Sequence, residues 1–549
     1  MAGRNIMTDF VKENFSHWLK SAKEKDLLDE LKSLTDEKDI EDRFYRELEF
    51  GTGGLRGTLG AGTNRMNVYT VARATFGFAE YLLKNKKSPS VVIAYDSRIM
   101  SKEFSYLAAS ILSFKGIKAY IFKELMPTPV LSFSVRYLKA DGGIVITASH
   151  NPKEYNGYKV YNENGCQITD EAAADIYGEI KNADYFGEFT ANKELIAEIG
   201  DEVLDKFIAE ISRYAVNDIK AQPKIVYTPL NGTGRKPVLK ILDKIGIKDV
   251  TVVKEQENPD GHFPTCPFPN PEYPETFDLA FKYAKEAGAE IVLATDPDAD
   301  RVGVAVKDEK GEYKILSGNE VGILLFEYFL SEKSKKGTLG KEPTAIKTIV
   351  TTDMAFKIAE KYGVKMKEVL TGFKYIGEEM DKTENYVFGF EESCGYLVGK
   401  HARDKDAVSA VMSIAEMTAY YKGQGITLYE KLQALYEQYG YYSTALYTKT
   451  FSGITGAARM KEILSSVREN PWKEIKGIKV EEYTDFINGY NGLPRSNVQR
   501  FNGKGMRFII RNSGTEPKIK IYIECTAATK KGTDERVETL KEYAASCLE

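Results

Sequence analysis

The chain has 549 residues, which is more than one hydrophobic core supports, so we expect several domains. Apolar residues make up 42% of the sequence, a fraction sufficient to form buried cores. Lys and Arg together number 76 against 80 for Asp and Glu, and the net charge of −4 excludes the broad positive field that binding to nucleic acid or an anionic membrane requires.

The sequence also carries no signal for secretion or membrane insertion. No apolar stretch approaches the ~20 residues of a membrane span, and the opening segment MAGRNIMTDFVKENFSHWLK lacks the apolar core of a signal peptide. The five cysteines are scattered and form no CxxC pair: Cys166, Cys266, Cys394, Cys525 and Cys547. We therefore expect a cytoplasmic protein with reduced thiols and without a zinc site.

The first fifty residues have the spacing of amphipathic helices and lead into the glycine-rich segment FGTGGLRGTLGAG. This segment is not a Walker A loop, because no Gly-Lys-Ser/Thr follows. It is not a dinucleotide-binding loop either, because Arg56 takes the place of the third glycine and no strand precedes it. We expect a flexible glycine loop that presents Arg56; the purely structural alternative is a turn that needs positive φ.

After residue 60, short β-branched runs alternate with longer helical segments in three cycles. The strand-like runs include SVVIAYDSR, GGIVITASH, AEIVLATDPD and NYVFGFEES. This alternation predicts three α/β domains on mixed or parallel sheets, with function at the carboxyl ends of the strands. The segment GMRFIIRNSGTEPKIKIYIE predicts two strands joined by a polar loop in a smaller last domain. The predicted domains are residues 1–208, 209–318, 319–438 and 439–549.

The first cycle ends in TASHNP, which places Ser149 and His150 directly after a strand. Ser149 is a candidate nucleophile, and the commoner alternative is a helix cap or turn former. A serine and histidine adjacent in sequence do not form a hydrolase triad, and no G-x-S-x-G elbow is present. Lys159 follows ten positions later in YNGYK, a spacing that suggests a second functional group near the serine.

The second cycle ends in ATDPDADR, where Asp296, Asp298 and Asp300 occupy every second position. On an extended chain these side chains project to the same side, and their repulsion favours a bound cation. Arg301 and Lys307 stand where an EF-hand needs Gly and Glu, so a calcium loop is excluded. The pattern favours Mg²⁺; an acidic turn and a phosphatase with Asp296 as nucleophile stay as alternatives.

Later segments offer groups for a sugar phosphate. Glu391, Glu392 and Ser393 in GFEESCGY suit sugar hydroxyls, with a solvated acidic loop as the alternative. RNSGTEPK, which begins at Arg511, suits a phosphate clasp, with a hairpin turn as the alternative. Three further cations can pair with phosphate or can be ordinary surface residues: Lys374, Arg403 and Lys405.

Together and in this order, the motifs FGTGGLRG, TASHNP, DPDADR, GFEES and RNSGTEPK resemble the α-D-phosphohexomutase superfamily, and most closely its phosphoglucomutase branch. The resemblance spans nearly the whole chain. It implies three similar α/β domains with mixed sheets and a smaller C-terminal α+β domain around a central cleft, each domain contributing one loop.

The resemblance also implies a role for each matching residue. Ser149 resembles the serine that carries the phosphoryl group, and its phosphate joins the three aspartates as a Mg²⁺ ligand. Lys159 resembles a lysine proposed for acid–base work. The sugar-hydroxyl readers are Glu391 and Ser393, and the clasp for the distal phosphate is Arg511, Ser513, Gly514 and Thr515. Further active-site positions are Arg56, His150, Arg301, Lys374 and Lys405.

The implied reaction interconverts α-D-glucose 1-phosphate and glucose 6-phosphate through a phosphoserine and a glucose 1,6-bisphosphate intermediate, which also primes the enzyme. The implied partners are small sugar phosphates. GFEESCGY and the glycine-rich segment FGTGGLRGTLGAGTNRMN are more similar to the branch that includes phosphopentomutases. Pentose and mannose phosphates therefore stay as alternative substrates. A Mg²⁺-dependent phosphatase and a catalytically silent sugar-phosphate binding protein are the alternatives outside the mutase class.

Overall fold

The structure, a computed structural model, describes residues 8–51, 53–451, 453–512 and 518–548. The chain divides into two units. The first contains residues 1–305 and the segment 397–416, and the second contains residues 306–396 and 417–549.

The helices of the described residues are α1 (Asp9–Ser21), α2 (Lys25–Ser33), α3 (Glu37–Phe44), α4 (Val68–Asn85), α5 (Ser101–Phe114), α6 (Thr128–Tyr137), α7 (Asp170–Asn182), α8 (Asp201–Ile211), α9 (Arg235–Lys244), α10 (Asp278–Ala287), α11 (Gly318–Lys335), α12 (Met354–Lys361), α13 (Phe373–Asp381), α14 (Ala407–Lys422), α15 (Leu428–Tyr439), α16 (Gly453–Glu469) and α17 (Lys530–Ser546). The strands are β1 (Gly54–Thr58), β2 (Ser90–Tyr95), β3 (Lys118–Phe122), β4 (Gly142–Ile146), β5 (Tyr155–Asn162), β6 (Ile196–Ile199), β7 (Ile225–Thr228), β8 (Val250–Val252), β9 (Ile291–Thr295), β10 (Val302–Lys307), β11 (Tyr313–Leu316), β12 (Thr344–Thr348), β13 (Lys365–Val369), β14 (Tyr386–Glu391), β15 (Gly395–Leu397), β16 (Tyr441–Thr450), β17 (Glu474–Ile475), β18 (Ile478–Asp485), β19 (Val498–Gly503), β20 (Met506–Asn512) and β21 (Lys518–Ala527).

The first unit begins with a six-stranded sheet of order β1–β5–β4–β2–β3–β6. Strands β2, β3, β4 and β6 are parallel, and β5 and β1 extend the sheet antiparallel. The strands β2 and β4 are almost entirely buried, because helices cover both faces of a parallel sheet and its strands become continuous apolar runs. The prediction of a mixed α/β sheet is confirmed.

The prediction of a flexible glycine loop around Arg56 is wrong, because Gly54–Thr58 forms the edge strand β1. In its antiparallel register with β5, Arg56 lies opposite Gly157. A Cβ atom on Gly157 would lie 2.5 Å from the carbonyl oxygen of Thr147, so the glycine allows three backbone segments to approach closely. The glycines therefore serve close strand packing here.

A second sheet of the first unit includes the order β10–β9–β7–β8, in which β7 is parallel to both β8 and β9. Its buried central strands β7 and β9 consist of β-branched and apolar residues, as the sequence predicted. Ser149 follows β4 and Asp296 follows β9, so both stand just beyond the carboxyl ends of parallel strands, where open α/β sheets place their sites.

The second unit contains a sheet of order β13–β12–β14–β15 and an antiparallel sheet of order β16–β21–β20–β19–β18–β17. Strand β12 is parallel to β13 and β14, so the third α/β sheet is confirmed. The predicted hairpin is confirmed as β20 and β21, which pair antiparallel, while its connection lies outside the described residues. The four domain boundaries stay predictions.

Two further expectations concern cysteines and membrane helices. The cysteines are free thiols, and four of the five are buried. Over the ranges that the structure describes, there is no helix with the length and apolar character needed to cross a membrane.

Candidate active site

Ser149 lies in a tight turn after β4 and is almost fully buried, with 3% of its surface exposed. Its hydroxyl lies 2.9 Å from Asp296 Oδ2 and 3.2 Å from His150 Nδ1. The backbone of Ser149 has a φ of +52°, in the left-handed region that side chains other than glycine seldom adopt. No described helix begins at this position, so the helix-cap alternative is excluded.

The three aspartates converge through a turn and not, as predicted, along an extended chain. Residues 297–300 form the turn, and Ala299 has a φ of +48°. Asp296 Oδ1 accepts hydrogen bonds from the backbone N–H groups of Asp300 and Arg301, at 3.1 and 3.0 Å. The first carboxylate thus fixes the turn that presents the other two.

These carboxylates fit a divalent cation. Their oxygens lie within 4.8 Å of one another, and no more than 1% of Asp296, Asp298 or Asp300 is exposed. Asp298 Oδ1 and Asp300 Oδ1 are buried without a hydrogen-bond partner, an arrangement that is costly unless a cation binds them. Burial, and then the charges of Asp300 and Asp298, raise the pKa of Asp296 well above its usual value. Hard oxygen ligands of this kind suit Mg²⁺.

Cationic side chains surround the carboxylates. Lys159 Nζ, on β5, lies 2.8 Å from Asp298 Oδ2 and 3.6 Å from Asp300 Oδ2. Lys405 Nζ lies 3.1 Å from Asp300 Oδ2. Arg301 pairs with Glu272 at 2.5 Å, and its Nε lies 3.8 Å from Asp300 Oδ1. These three cations offset the charge of the three aspartates, so a bound divalent cation would supply the further positive charge that suits a phosphate monoester.

The direction of two pKa shifts decides which groups can accept a proton. Burial alone would lower the pKa of Lys159, but Asp298 and Asp300 outweigh it and raise that pKa. Without a bound cation, Lys159 is therefore the protonated partner of these two carboxylates. Burial and the charges of Arg301 and Arg56 lower the pKa of His150 well below its usual value, so its imidazole is neutral at pH 7.

Arg56 is exposed on β1, and its Nη1 lies 3.4 Å from Asn151 Oδ1 in the turn of Ser149. The first unit therefore brings together most of the predicted site residues: Ser149, His150, Lys159, Asp296, Asp298, Asp300, Arg301, Lys405 and Arg56.

The other predicted residues belong to the second unit. Glu391, at the end of β14, is 4% exposed, and its Oε1 accepts the backbone N–H of Gly372 at 2.9 Å. Lys374 follows in the first turn of α13 and is 8% exposed. The alternatives of a solvated acidic loop and a surface lysine are therefore wrong for these two residues. Ser393 is half-buried in the turn after β14.

Arg511 is the residue before the last of β20, and its Nη1 lies 3.5 Å from the hydroxyl of Tyr522. The rest of the predicted phosphate clasp, Ser513, Gly514 and Thr515, lies outside the described residues.

Four domain models of one family match successive parts of this chain. Their descriptions are phosphoglucomutase/phosphomannomutase α/β/α domain I for residues 47–186, domain II for 205–311, domain III for 317–439, and C-terminal domain for 462–542. The chain belongs to the phosphoglucomutase/phosphomannomutase family. The predicted superfamily, the fold class of three α/β domains and a C-terminal domain, and the enzyme class of a phosphotransferase mutase are confirmed.

Individual relatives agree with this family. A phosphoglucomutase of Staphylococcus haemolyticus is 37% identical over 503 residues, which cover 88% of this chain and 91% of the relative. A putative phosphomannomutase of Thermus thermophilus has a similar structure, with a TM-score of 0.70, 22% identity, and coverage of 91% of this chain and 99% of the other. The open form of the phosphoglucomutase pp63/parafusin from Paramecium gives a TM-score of 0.67 at 19% identity, covering 92% and 95%. The two structural similarities concern the fold.

The side chains that support the serine and aspartate turns were not singled out from the sequence. Thr147 Oγ1 accepts the N–H of Ser149 at 2.8 Å and donates to Asp96 Oδ2 at 2.6 Å. Thr128 Oγ1 donates to Asp298 Oδ2 at 2.8 Å. The sequence does carry one indication that Asp96 lies near Ser149: it directly follows β2, the strand that pairs with β4 in the parallel sheet.

Proposed function

We propose that this protein is a phosphoglucomutase, which interconverts α-D-glucose 1-phosphate and glucose 6-phosphate by way of a phosphorylated Ser149 and glucose 1,6-bisphosphate. The observation that carries the proposal is the contact of 2.9 Å between the Ser149 hydroxyl and Asp296, one of three buried carboxylates that can hold a cation. The phosphoglucomutase names of curated relatives at 35 to 37% identity support glucose phosphate as the substrate.

In the proposed reaction, a sugar hydroxyl attacks the phosphorus of phosphoserine, and the bond from phosphorus to Ser149 Oγ breaks. The bisphosphate turns over in the site and returns its other phosphoryl group to Ser149 Oγ. Asp296, Asp298 and Asp300 would hold Mg²⁺, which when bound neutralises charge on the transferring phosphoryl group. The remaining catalysis is positioning and charge stabilisation by the protein's own groups.

His150 and Lys159 have different roles in this proposal. The neutral His150 ring lies 3.2 Å from Ser149 Oγ and is placed to take the proton of the attacking sugar hydroxyl and pass it to Ser149 Oγ as the bond from phosphorus to Oγ breaks. In the return step it passes the serine proton to the sugar oxygen as the bond from that oxygen to phosphorus breaks. Lys159 is an ammonium in this arrangement, so it contributes positive charge beside Asp298.

The remaining predicted residues would bind the sugar phosphate. Glu391 and Ser393 would form hydrogen bonds with the sugar hydroxyls in either orientation of the intermediate. The proposed phosphate contacts are Arg56, Arg301, Lys374, Lys405, Arg511, Ser513, Gly514 and Thr515. Glucose 1,6-bisphosphate would prime the unphosphorylated enzyme, and the proposed location is the cytoplasm.

The test is Ser149→Ala, assayed for glucose 6-phosphate formation from glucose 1-phosphate, Mg²⁺ and a trace of glucose 1,6-bisphosphate. We expect no turnover, because the hydroxyl that carries the phosphoryl group is gone. Ser134→Ala is the matched control, since Ser134 is also a buried serine but its hydroxyl donates only to Val130 O within α6, at 2.6 Å. Undiminished turnover by Ser149→Ala would refute the proposal.

The same preparations separate the alternatives. A phosphatase with Asp296 as nucleophile predicts that Ser149→Ala still releases free phosphate. The hydrogen bonds that both carboxylate oxygens of Asp296 accept argue against this alternative. Phosphomannomutase or phosphopentomutase activity predicts a higher kcat/KM for mannose 1-phosphate or ribose 1-phosphate than for glucose 1-phosphate. A silent binding protein predicts stabilisation by these ligands without turnover.

A further inference from the structure

We propose that Arg98 is a positioning residue for phosphoryl transfer, because it holds the turn of Ser149 in the conformation that directs the serine hydroxyl toward the aspartates. The inference rests on the proposed function, and it assigns a role to a side chain that none of the predicted site motifs contains.

The guanidinium of Arg98 binds four backbone carbonyls of the segment around Ser149. Its Nη1 donates to Pro152 O at 2.8 Å and to Tyr155 O at 3.1 Å. Its Nη2 donates to Ser149 O at 2.5 Å and to Asn151 O. The planar guanidinium therefore fixes both the turn and the start of β5. A lysine ammonium has only three donors and cannot reach all four carbonyls with the same geometry.

Asp96 holds Arg98 and the opposite side of the same turn. Arg98 Nε lies 3.3 Å from Asp96 Oδ2, and both side chains are completely buried. The same carboxylate oxygen accepts the hydroxyl of Thr147 at 2.6 Å, and Thr147 Oγ1 accepts the N–H of Ser149 at 2.8 Å. The pair thus contacts both the N–H and the C=O of Ser149, directly or through one hydroxyl.

The backbone of Ser149 needs such support. A left-handed φ of +52° is unfavourable for a residue with a Cβ atom, so the turn would relax if its carbonyls lost their donors. Relaxation would move Ser149 Oγ away from Asp296. None of the hydrogen bonds that the structure describes for Arg98 reaches Ser149 Oγ or the three aspartates, so Arg98 acts through the backbone.

Arg73 provides a matched control for a merely structural arginine. It is 8% exposed, donates to the carbonyls of Ala183 and Lys181 at 3.0 and 3.4 Å, and pairs with Glu47 at 2.7 Å. It belongs to the same unit as Arg98, but its contacts lie outside the serine turn.

The experiment compares full-length Arg98→Lys, Arg98→Ala, Arg73→Ala and wild type in the glucose 1-phosphate assay, with and without millimolar guanidinium. A cavity of about 840 Å³ adjoins Arg98 and residues such as Ile99, Met126 and Gly232, and removal of the buried Arg98 side chain would extend it toward the serine turn and give added guanidinium a route. We expect kcat to fall on the order of 100-fold in both Arg98 variants with KM nearly unchanged, as for a small misplacement of a reacting group. Guanidinium should restore part of kcat in Arg98→Ala only.

A second measurement does not depend on turnover. Amide hydrogen exchange of residues 147–155 should accelerate in Arg98→Lys and stay as in wild type in Arg73→Ala, which keeps the inference testable if Arg98→Ala fails to fold.

Three results, each with an active wild type, would overturn the inference while leaving the proposed function intact. Arg98→Lys could have the same kcat as wild type, or the Arg98 variants could lose kcat/KM only through a higher KM. The third result is a soluble Arg98→Ala variant whose kcat does not rise when guanidinium is added. A wild type without mutase turnover would instead contradict the proposed function, and with it the inference.

Discussion

Lys159 Nζ lies 2.8 Å from Asp298 Oδ2, and this contact joins strand β5 of the first sheet to the aspartate turn that follows β9 of the second. Both side chains are buried, so their charges interact in a medium of low polarity. The lysine therefore stabilises the aspartate turn electrostatically.

Replacing this lysine tests whether a metal and an ammonium neutralise the same carboxylates. Lys159→Met leaves buried charge unpaired, and we expect a loss of roughly 3–5 kcal/mol in the free energy of unfolding without metal. Mg²⁺ should recover a large part of that loss, because it binds the same oxygens. Denaturant unfolding in EDTA and in Mg²⁺ measures both values. The exposed Lys153→Met is the control; equal destabilisation of Lys159→Met in the two buffers would argue against a shared site.

The carboxylates themselves should set the requirement for Mg²⁺. EDTA should abolish mutase activity and Mg²⁺ should restore it. Asp300→Asn removes the negative charge from a carboxylate whose Oδ1 has no hydrogen-bond partner. It should raise the Mg²⁺ concentration for half-maximal activity at least roughly tenfold, because replacing even a residue that only hydrogen-bonds to a metal ligand weakens metal binding by that factor. Asp141→Asn serves for comparison, since Asp141 only accepts the N–H of Ser90 at 3.0 Å. An unchanged Mg²⁺ titration for Asp300→Asn would exclude it as a ligand.

Tyr161 should affect activity through Lys405, although it lies behind the site. Its hydroxyl donates to Asp404 Oδ2 at 2.7 Å, and Asp404 Oδ1 lies 3.1 Å from Lys405 Nζ. Tyr161→Phe leaves a buried charged oxygen without its donor, which costs about 1.5–3 kcal/mol, and frees the Lys405 loop to shift. We expect a several-fold higher KM for glucose 1-phosphate.

The control for Tyr161→Phe is Tyr158→Phe, which changes another buried tyrosine of β5 outside this series of contacts. Steady-state kinetics with both variants gives the KM for glucose 1-phosphate that tests this expectation. If both raise KM equally, the effect comes from packing in β5 and not from Asp404.

The strands and the convergence of the main chemistry were predictable from the sequence. Ser149 and Asp296 each follow a buried apolar run, and the carboxyl ends of such strands gather functional side chains. The glycine-rich segment around Arg56 predicts a loop because glycine weakens strand propensity. Its pairing with β5 depends on close backbone contact, which one sequence does not display.

Other features depend on distances that no local pattern encodes. Asp96 and Arg98 are two charged residues after a strand, and only their burial at 3.3 Å and the four carbonyl contacts distinguish them from surface charges. The direction of the pKa shift of Lys159 follows from two carboxylates more than 130 positions away in the chain, which outweigh the effect of burial.

In the second unit, a buried carboxyl should make stability depend on pH. Glu524, on β21, is 5% exposed. Its Oε1 lies 3.2 Å from Arg507 Nη2 and accepts the N–H of Asp353 at 3.0 Å. Burial raises the pKa of Glu524 above its ordinary value of 4.5, and the charge of Arg507 only partly opposes this. The folded protein therefore binds this proton more tightly than the unfolded chain does.

The sign of the pH dependence follows from that difference. The contribution of Glu524 to stability is complete below pH 4.5 and is lost as the pH rises through the higher pKa of the folded state, at up to about 1.4 kcal/mol per pH unit. Glu524→Gln cannot ionise, so its free energy of unfolding should fall less than that of wild type from pH 4.5 upward. The control is Glu482→Gln: a hydrogen bond from Asn502 lowers the pKa of Glu482, so its contribution is lost as the pH falls. Urea unfolding across this range measures the slopes, and parallel curves for wild type and Glu524→Gln would show that the carboxyl titrates alike in both states.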